Sequence, residues 1–133
     1  MTSPVTAPRR GRVLVIDDEA SIRRSVRRVL EPAHDVVEAA NGHQGLAALD
    51  EAAEEFDLVL CDLEMPEMGG DQFWAELNAI HPTVASRVVF VTGGARTQVM
   101  QTFVEQRRPA VLDKPFQIDA LRALAARRVV ERG

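Results

Sequence analysis

The chain has 133 residues, of which 46% are hydrophobic, and this length suits one domain with a substantial core rather than two ordinary domains. Its formal net charge of -4 excludes a general attraction to nucleic acid or to an anionic membrane. No apolar run is long enough to span a bilayer, and the single cysteine, Cys61, has no partner for an internal disulfide. We therefore expect a soluble, cytoplasmic protein without direct nucleic-acid binding or membrane insertion.

The ends of the chain are polar and carry no pattern of regular structure. The opening segment contains proline and lacks the apolar stretch that a signal peptide requires. We expect a disordered N-terminal tail over 1–11, one folded domain over 12–128 and a short C-terminal tail over 129–133.

Short apolar runs alternate with segments of helical period from Arg12 onward, which is typical of a parallel sheet with helices on its faces. Strands are predicted over 12–16, 35–39, 58–62, 87–92 and 110–113. The first and third are continuous apolar runs, as expected for strands that are buried on both faces.

Five amphipathic segments are predicted as helices that follow the strands in turn. The second of them is expected to begin at a cap formed by Asn41 and Gly42. The side chains expected to face the core, in helix order, are Ile22, Val26, Val29 and Leu30; Leu46 and Leu49; Phe73, Leu77 and Ile80; Val99, Met100 and Phe103; Ile118, Leu121, Leu124 and Ala125.

Polar side chains stand where four of the five strands end. Asp17 and Asp18 follow the first strand, Asp62 ends the third, Thr92 ends the fourth, and Lys114 follows the fifth. Right-handed crossovers bring the carboxyl ends of parallel strands to one edge of the sheet. We therefore expect three carboxylates, one hydroxyl and one amine to meet there.

Carboxylates that are crowded together repel one another. At about 4 Å and an effective dielectric near 20, each pair costs roughly 4 kcal/mol, against a total stability of about 5 to 15 kcal/mol for a small domain. The acids must therefore be protonated or hold a cation. Oxygen ligands without histidine or cysteine favour a hard ion, and a small site with room for water suits Mg²⁺. Because Mg²⁺ and an ammonium together neutralise a transferring phosphoryl group, the sequence predicts a phosphoryl-binding pocket.

The motifs that carry these residues are "DDE" after the first strand, "DLEMPEMGG" after the third, "T" after the fourth and "KPF" after the fifth. Together they resemble the receiver domain of two-component response regulators, from Arg12 to about Arg128. The resemblance implies an α/β fold with a doubly wound five-stranded parallel sheet, five helices and the flavodoxin-like strand order 2-1-3-4-5. "RVVFVTGGA" and "VLDKPF" resemble receivers attached to hybrid sensor kinases more than those joined to DNA-binding domains. A stand-alone regulator or a piece of a longer protein is equally compatible with the sequence.

The resemblance also implies a function. A sensor histidine kinase or a histidine phosphotransfer protein would pass a phosphoryl group from its phosphohistidine to Asp62, the nucleophile. Lys114 and Thr92 would contact the phosphoryl oxygens, and the Lys114–Pro115 peptide bond would be cis. The domain would catalyse its own phosphorylation and dephosphorylation, without being an enzyme otherwise, and would switch its contacts with a downstream protein that the sequence does not identify. The implied Mg²⁺ ligands are Asp17, Asp18, Asp62 and the backbone carbonyl of Glu64.

One position departs from the usual receiver pattern. Many receivers have Tyr or Phe three residues before the lysine, where the ring moves inward as the threonine shifts onto the phosphate. This chain has Val111 there, and a β-branched aliphatic side chain cannot make the same movement. We hypothesise that switching runs instead through the loop after Thr92, where Gly93 and Gly94 allow backbone freedom.

Two further hypotheses concern charged side chains around the expected pocket. Arg23 or Arg27, on the polar face of the first helix, would contribute electrostatically to the choice of kinase. Glu64, two residues after Asp62, would alter the access of water to the acyl phosphate.

Two other functions remain open from the sequence. A receiver-like interaction module without phosphorylation is compatible with Val111. A Mg²⁺-dependent phosphohydrolase of the haloacid-dehalogenase type also uses Asp, Thr and Lys, but such enzymes usually have a D-x-D motif after the first strand and a cap over the substrate. Here Asp17 and Asp18 are adjacent, and the chain is too short for a cap. A dinucleotide site is disfavoured because "IDDEAS" lacks the glycines of a phosphate-binding turn.

Overall fold

The computed structural model describes residues 9–94 and 97–132, which form five strands and six helices. The strands are β1 (Gly11–Ile16), β2 (His34–Ala39), β3 (Leu58–Asp62), β4 (Val88–Thr92) and β5 (Ala110–Asp113). The helices are α1 (Ala20–Leu30), α2 (Gly42–Glu51), α3 (Gly70–Ile80), α4 (Pro82–Ala85), α5 (Gln98–Arg107) and α6 (Ile118–Arg132).

The sheet has the strand order β2-β1-β3-β4-β5, and every neighbouring pair is parallel, as predicted. β1 and β3 are central, and the register pairs Ile16 with Cys61 near their carboxyl ends. Beyond β3 in the sheet, Thr92 at the end of β4 pairs with Asp113 of β5. This register brings the residues at or just after the carboxyl ends of β1, β3, β4 and β5 to the same edge of the sheet.

Helices cover both faces of the sheet. On one face, Leu14 and Val59 pack in a core with Phe73 of α3 and Met100 of α5, and α2 adds partly buried leucines. On the other face, the alternate strand residues pack against Val26 and Leu30 of α1 and against Leu121, Leu124 and Ala125 of α6. Burial on both faces explains why β1 and β3 have no polar alternation in the sequence.

The sequence predicted five helices, and the described residues contain a sixth, the short helix α4, which the spacing of apolar residues did not indicate. Pro82 ends α3, but proline suits the first turn of a helix because its missing N–H would have no intrahelical partner there. The chain therefore starts a new turn at Pro82, and Trp74 of α3 donates a hydrogen bond from Nε1 to the carbonyl oxygen of Ala85.

Three predicted core positions were wrong: Ile80, Val99 and Ile118 are exposed. Each lies in the first or last turn of its helix, where the helical period does not tell whether the sheet still lies beneath the side chain. The predicted cap of α2 is confirmed, since the side chain of Asn41 accepts a hydrogen bond from the backbone N–H of Gln44.

The ends of the domain differ from the predicted boundaries. Residues 1–8 of the predicted N-terminal tail lie outside the described residues, while Arg9 and Arg10 form ion pairs and Gly11 begins β1. The C-terminal tail predicted from residue 129 is instead the last turn of α6, and Val129 is buried. Within the described part of the chain, no helix is both long enough and apolar enough to cross a membrane.

Candidate functional site

Three aspartates meet at the carboxyl edge of the sheet. Asp17 follows β1 directly, Asp18 is the next residue, and Asp62 ends β3. Each offers a carboxylate oxygen, and these oxygens lie within 4.8 Å of one another. Asp17 and Asp62 are buried, whereas Asp18 is exposed. The three carboxylates that the sequence predicted to converge are therefore close enough to share one cation.

Backbone hydrogen bonds hold this cluster in place. The N–H of Asp17 donates to the carbonyl oxygen of Ala39 at 3.1 Å, which ties the turn after β1 to the end of β2. Oδ1 of Asp17 accepts a hydrogen bond from the N–H of Glu19 at 2.9 Å, and Oδ1 of Asp62 accepts one from the N–H of Glu64 at 3.4 Å. The local turn geometry after each strand thus orients the carboxylates.

Lys114 brings a positive charge to the cluster. Its Nζ lies 3.2 Å from Oδ2 of Asp17 and 3.5 Å from Oδ1 of Asp62. Its backbone N–H donates to the carbonyl oxygen of Thr92 at 2.7 Å, and the Lys114–Pro115 peptide bond is cis, as expected. Lys114 is also the only lysine in the sequence, where the other fifteen basic residues are arginines.

The pKa values show that one ammonium does not neutralise the cluster. Burial, followed by the charge of Asp17, raises the pKa of Asp62 to about 7, although Lys114 acts in the opposite direction. Burial disfavours the charged form of Lys114, but the carboxylates of Asp62 and Asp17 outweigh it and raise the pKa of the amine. A buried oxygen cluster that favours protonation of one member near neutral pH has a donor set suited to a hard divalent cation such as Mg²⁺.

An open cavity of about 200 Å³ lies beside the aspartates. Thr92 contributes its side chain, which is buried, and its Oγ1 accepts a hydrogen bond from the N–H of Gly94 at 3.0 Å. Gly94 has a φ of 116°, a conformation that glycine adopts without strain. The lining residues are Asp18, Glu19, Asp62, Glu64, Thr92, Gly93, Gly94 and Lys114.

All six predicted site residues thus lie in the cluster or line the cavity. The expected role of the Glu64 carbonyl as a ligand stays a prediction; the N–H of Glu64 donates a hydrogen bond to Oδ1 of Asp62. Val111, at the position where receivers often have an aromatic residue, is 39% exposed on the edge strand β5.

Sequence reasoning missed the contact that Arg23 makes with the site. The helical period places Arg23 on the polar face of α1, but in the structure its Nη1 donates to the carbonyl oxygen of Asp17 at 2.6 Å. The sequence contains no signal for this contact, because four arginines share α1 and the period does not distinguish which one reaches back to the strand.

A larger, mainly apolar groove of about 580 Å³ adjoins the cavity on the side of α1. It shares Gly93 and Lys114 with the site and extends between α1 and the start of α6. The groove therefore reaches Lys114, whose ammonium contacts Asp62. The other lining residues are Ile22, Ser25, Arg28, Val29, Pro115, Phe116 and Ile118.

The fold and the site together define a doubly wound α/β domain with an acidic pocket at the carboxyl edge of its sheet. The family model described as the response regulator receiver domain matches residues 13–126. The chain therefore belongs to the receiver domain family of two-component signalling.

Similar proteins include kinases as well as small regulators. The chain is 33% identical over 110 residues to the sensor kinase CckA of Brucella abortus (strain 2308), covering 82% of this chain and 11% of that protein. It is 32% identical over 108 residues to the response regulator receiver protein CpdR of the same organism, covering 80% of this chain and 87% of CpdR. The structure of Vibrio cholerae chemotaxis protein CheY4 superposes with a TM-score of 0.74 at 28% identity, covering 89% of this chain and 98% of CheY4.

Proposed function

We propose that this receiver domain accepts a phosphoryl group on Asp62 from the phosphohistidine of a sensor histidine kinase or a histidine phosphotransfer protein. The observation that carries the proposal is the position of the Asp62 carboxylate, which lies close to two further aspartates and to Lys114 and borders an open cavity. This arrangement gives a nucleophile, an ammonium and space for a phosphoryl group at one point.

The reaction is a transfer between two nucleophiles. A carboxylate oxygen of Asp62 attacks the phosphorus, the phosphorus–nitrogen bond of the donor breaks, and the released imidazole takes up a proton. The product on this chain is an acyl phosphate. Lys114, which lies 3.5 Å from Oδ1 of Asp62, stabilises the negative charge of the transferring group.

The donor set fits Mg²⁺, and the residues that would hold the ion are Asp17, Asp18, Asp62 and the backbone carbonyl of Glu64. When bound, Mg²⁺ would supply positive charge to the phosphoryl oxygens and offset the repulsion among the carboxylates. The protein's own contribution is to hold these oxygens close together before the donor arrives, through the backbone hydrogen bonds of Asp17 and Asp62.

Thr92 is the second side chain that would contact the transferred group. Its hydroxyl lines the cavity and accepts from the N–H of Gly94, so the hydroxyl hydrogen is available to a phosphoryl oxygen. A contact of this kind links the phosphoryl group to the loop that begins at Gly93. We propose that the domain uses this link to change its contacts with a downstream protein.

The same site supports self-catalysed phosphorylation and dephosphorylation, because charge compensation and positioning need no general base. Glu64 also lines the cavity, so its side chain lies where it would affect the approach of water to the acyl phosphate. We expect Glu64→Asn to change the half-life of the phosphorylated protein, measured by intact mass after removal of the donor. An unchanged half-life would remove Glu64 from the mechanism.

The proposal is tested by incubation with acetyl phosphate and Mg²⁺, followed by intact mass spectrometry. We expect the gain of one phosphoryl group, which Asp62→Asn abolishes and the surface variant Asp119→Asn does not. Steady release of phosphate without a retained phosphoryl group would indicate a phosphohydrolase. No mass change with acetyl phosphate or with phosphorylated kinases would indicate an interaction module without phosphorylation.

The partners follow from the same proposal. The chain spans about a tenth of CckA and most of CpdR, so its family occurs both within a kinase and in a protein of about its own length. We propose that this chain receives its phosphoryl group in the cytoplasm from a histidine-phosphorylated protein that docks in the groove beside α1.

A further inference from the structure

Arg23 connects the phosphoryl-transfer site to the neighbouring strand β2. Its side chain is 17% exposed, and its guanidinium makes two contacts in different directions. Nη1 donates to the carbonyl oxygen of Asp17 at 2.6 Å, and Nε donates to Oε1 of Glu38 at 3.3 Å. A planar guanidinium can serve both acceptors at once, which a lysine ammonium on a flexible stem does less well.

Glu38 is itself fixed by a second arginine. Nε of Arg27 donates to Oε2 of Glu38 at 2.7 Å, and Nη2 of Arg27 donates to the carbonyl oxygen of Val36 at 3.0 Å. Both oxygens of the Glu38 carboxylate are therefore engaged by arginines of α1. This pairing holds the guanidinium of Arg23 in the position from which it reaches Asp17.

The carbonyl that Arg23 contacts belongs to the peptide group between Asp17 and Asp18. A hydrogen bond to this oxygen limits rotation of the peptide plane and so sets the direction in which Asp18 leaves the strand. Asp17 is already held by Ala39 through its N–H, and by Glu19 and Lys114 through its carboxylate. Arg23 supplies the remaining constraint, on the carbonyl side.

We propose that Arg23 is a positioning residue for divalent-cation binding, which keeps the Asp17 and Asp18 carboxylates at ligand distance by fixing the peptide between them. This inference rests on the proposed function, since it assigns the pair to Mg²⁺. Residues that orient metal ligands typically change metal affinity about 10- to 100-fold when they are replaced.

The positive charge of Arg23 disfavours Mg²⁺ binding, whereas its positioning role favours it. The direction in which Mg²⁺ affinity changes when Arg23 is replaced therefore tests the proposal. A guanidinium near the site repels a divalent cation, so its removal strengthens Mg²⁺ binding if charge is its only influence. If Arg23 positions the ligands, its removal weakens binding despite the more negative site.

The experiment is a calorimetric titration of the metal-free protein with Mg²⁺ for wild type, Arg23→Ala, Arg23→Lys and the control Arg24→Ala. Arg24 is exposed and lies on the same helix, and its side chain forms no hydrogen bond or ion pair with any described residue. We expect about tenfold weaker binding for Arg23→Ala, an intermediate loss for Arg23→Lys, and equal or slightly tighter binding for Arg24→Ala. With acetyl phosphate, saturating Mg²⁺ should restore most of the phosphorylation rate of Arg23→Ala.

Other outcomes separate this inference from the proposed function. If wild type binds no Mg²⁺, the proposed function fails. If wild type binds Mg²⁺ and folded Arg23→Ala binds it equally or more tightly, only the inference fails. A lower melting temperature of Arg23→Ala with unchanged Mg²⁺ affinity would indicate that Arg23 has a purely structural role. Should Arg23→Ala not fold, Arg23→Lys decides, because unchanged affinity in this charge-conserving variant also overturns the proposal.

Discussion

The ammonium of Lys114 lies 3.5 Å from Oδ1 of Asp62, so the residue after β5 contacts the last residue of β3 across the carboxyl end of β4. This contact supplies positive charge at the oxygen that would attack phosphorus. Because Lys114 is the only lysine in the sequence, no neighbouring lysine can replace it.

We expect Lys114→Met to slow phosphorylation by acetyl phosphate about 100-fold at saturating Mg²⁺, since it removes a donor to the charge that develops in the transition state. Intact mass against time measures the rate. Arg122→Met, which removes a positive charge from the surface of α6, serves as the control and should leave the rate unchanged. A decrease of less than threefold in Lys114→Met would argue against the assigned role.

Asp62 should make the stability of the metal-free protein depend on pH. The folded state raises the pKa of Asp62 from 3.8 to about 7, so the folded protein retains this proton over a range where the unfolded chain has lost it. Stability should therefore fall as pH rises from about 4 to about 7. Above about pH 8, Asp62→Asn should be more stable than wild type by about 2 to 4 kcal/mol, with the difference vanishing near pH 4.

Urea unfolding in the presence of EDTA measures this difference. Added Mg²⁺ should reduce it, because the cation offsets the same repulsion in the wild type. Equal stabilities of the two proteins at all pH values would show that the carboxylates do not destabilise the folded state.

Asp57 should have the opposite pH dependence. It lies just before β3, at the amino ends of the strands and so opposite the aspartate cluster, and its side chain is fully buried. Burial alone would raise its pKa, but hydrogen bonds from Arg9, Arg132 and the N–H of Arg12 outweigh burial and lower the pKa to about 2. The ionised carboxylate therefore stabilises the folded state above about pH 4, and this stabilisation is lost as pH falls toward about 2.

We expect Asp57→Asn to reduce the free energy of unfolding at neutral pH by at least about 2 kcal/mol, which is the free energy that corresponds to the lowering of the Asp57 pKa. The loss should shrink in acid, as followed by urea unfolding between neutral pH and about pH 2. Asp119→Asn, at an exposed position on α6, is the matched control. A loss that persists unchanged in acid would contradict the ion-pair explanation.

The switch should act on the loop after β4 rather than on β5. Oγ1 of Thr92 accepts from the N–H of Gly94, so a hydroxyl that turns toward a phosphoryl group disturbs this loop directly. The loop leads into α5, where Phe103 packs edge-on against Phe90 of β4, with ring centroids 5.3 Å apart. By contrast, Val111 is partly exposed and lacks a ring to follow the threonine.

We therefore expect phosphorylation to change amide hydrogen exchange more between Gly93 and Phe103 than around Val111. Exchange measured with and without acetyl phosphate, with Asp62→Asn as the unphosphorylated control, tests this expectation. Equal changes in the two regions would show that coupling through β5 persists without an aromatic side chain.

Local patterns were sufficient for most of the fold. β3 and β5 have the predicted bounds, because continuous apolar runs that end at polar residues leave little freedom in their placement. Where the local signal was ambiguous, prediction failed: Pro82 ends one helix and starts another, and Ile80 lies at a helix end beyond the buried face. The structure at such positions depends on where the neighbouring strands and helices end, and the spacing of apolar residues in the sequence carries no information about that.

The order of strands and the residues at their carboxyl ends determined that Asp17, Asp18, Asp62, Thr92 and Lys114 would meet, because right-handed parallel crossovers permit one arrangement of those ends. Tertiary structure alone decided that Arg23 would bind the Asp17 carbonyl and that Asp57 would be buried among arginines. Long cationic side chains have many possible acceptors within reach, and the choice among them depends on distances of a few ångströms that form only when strands and helices pack.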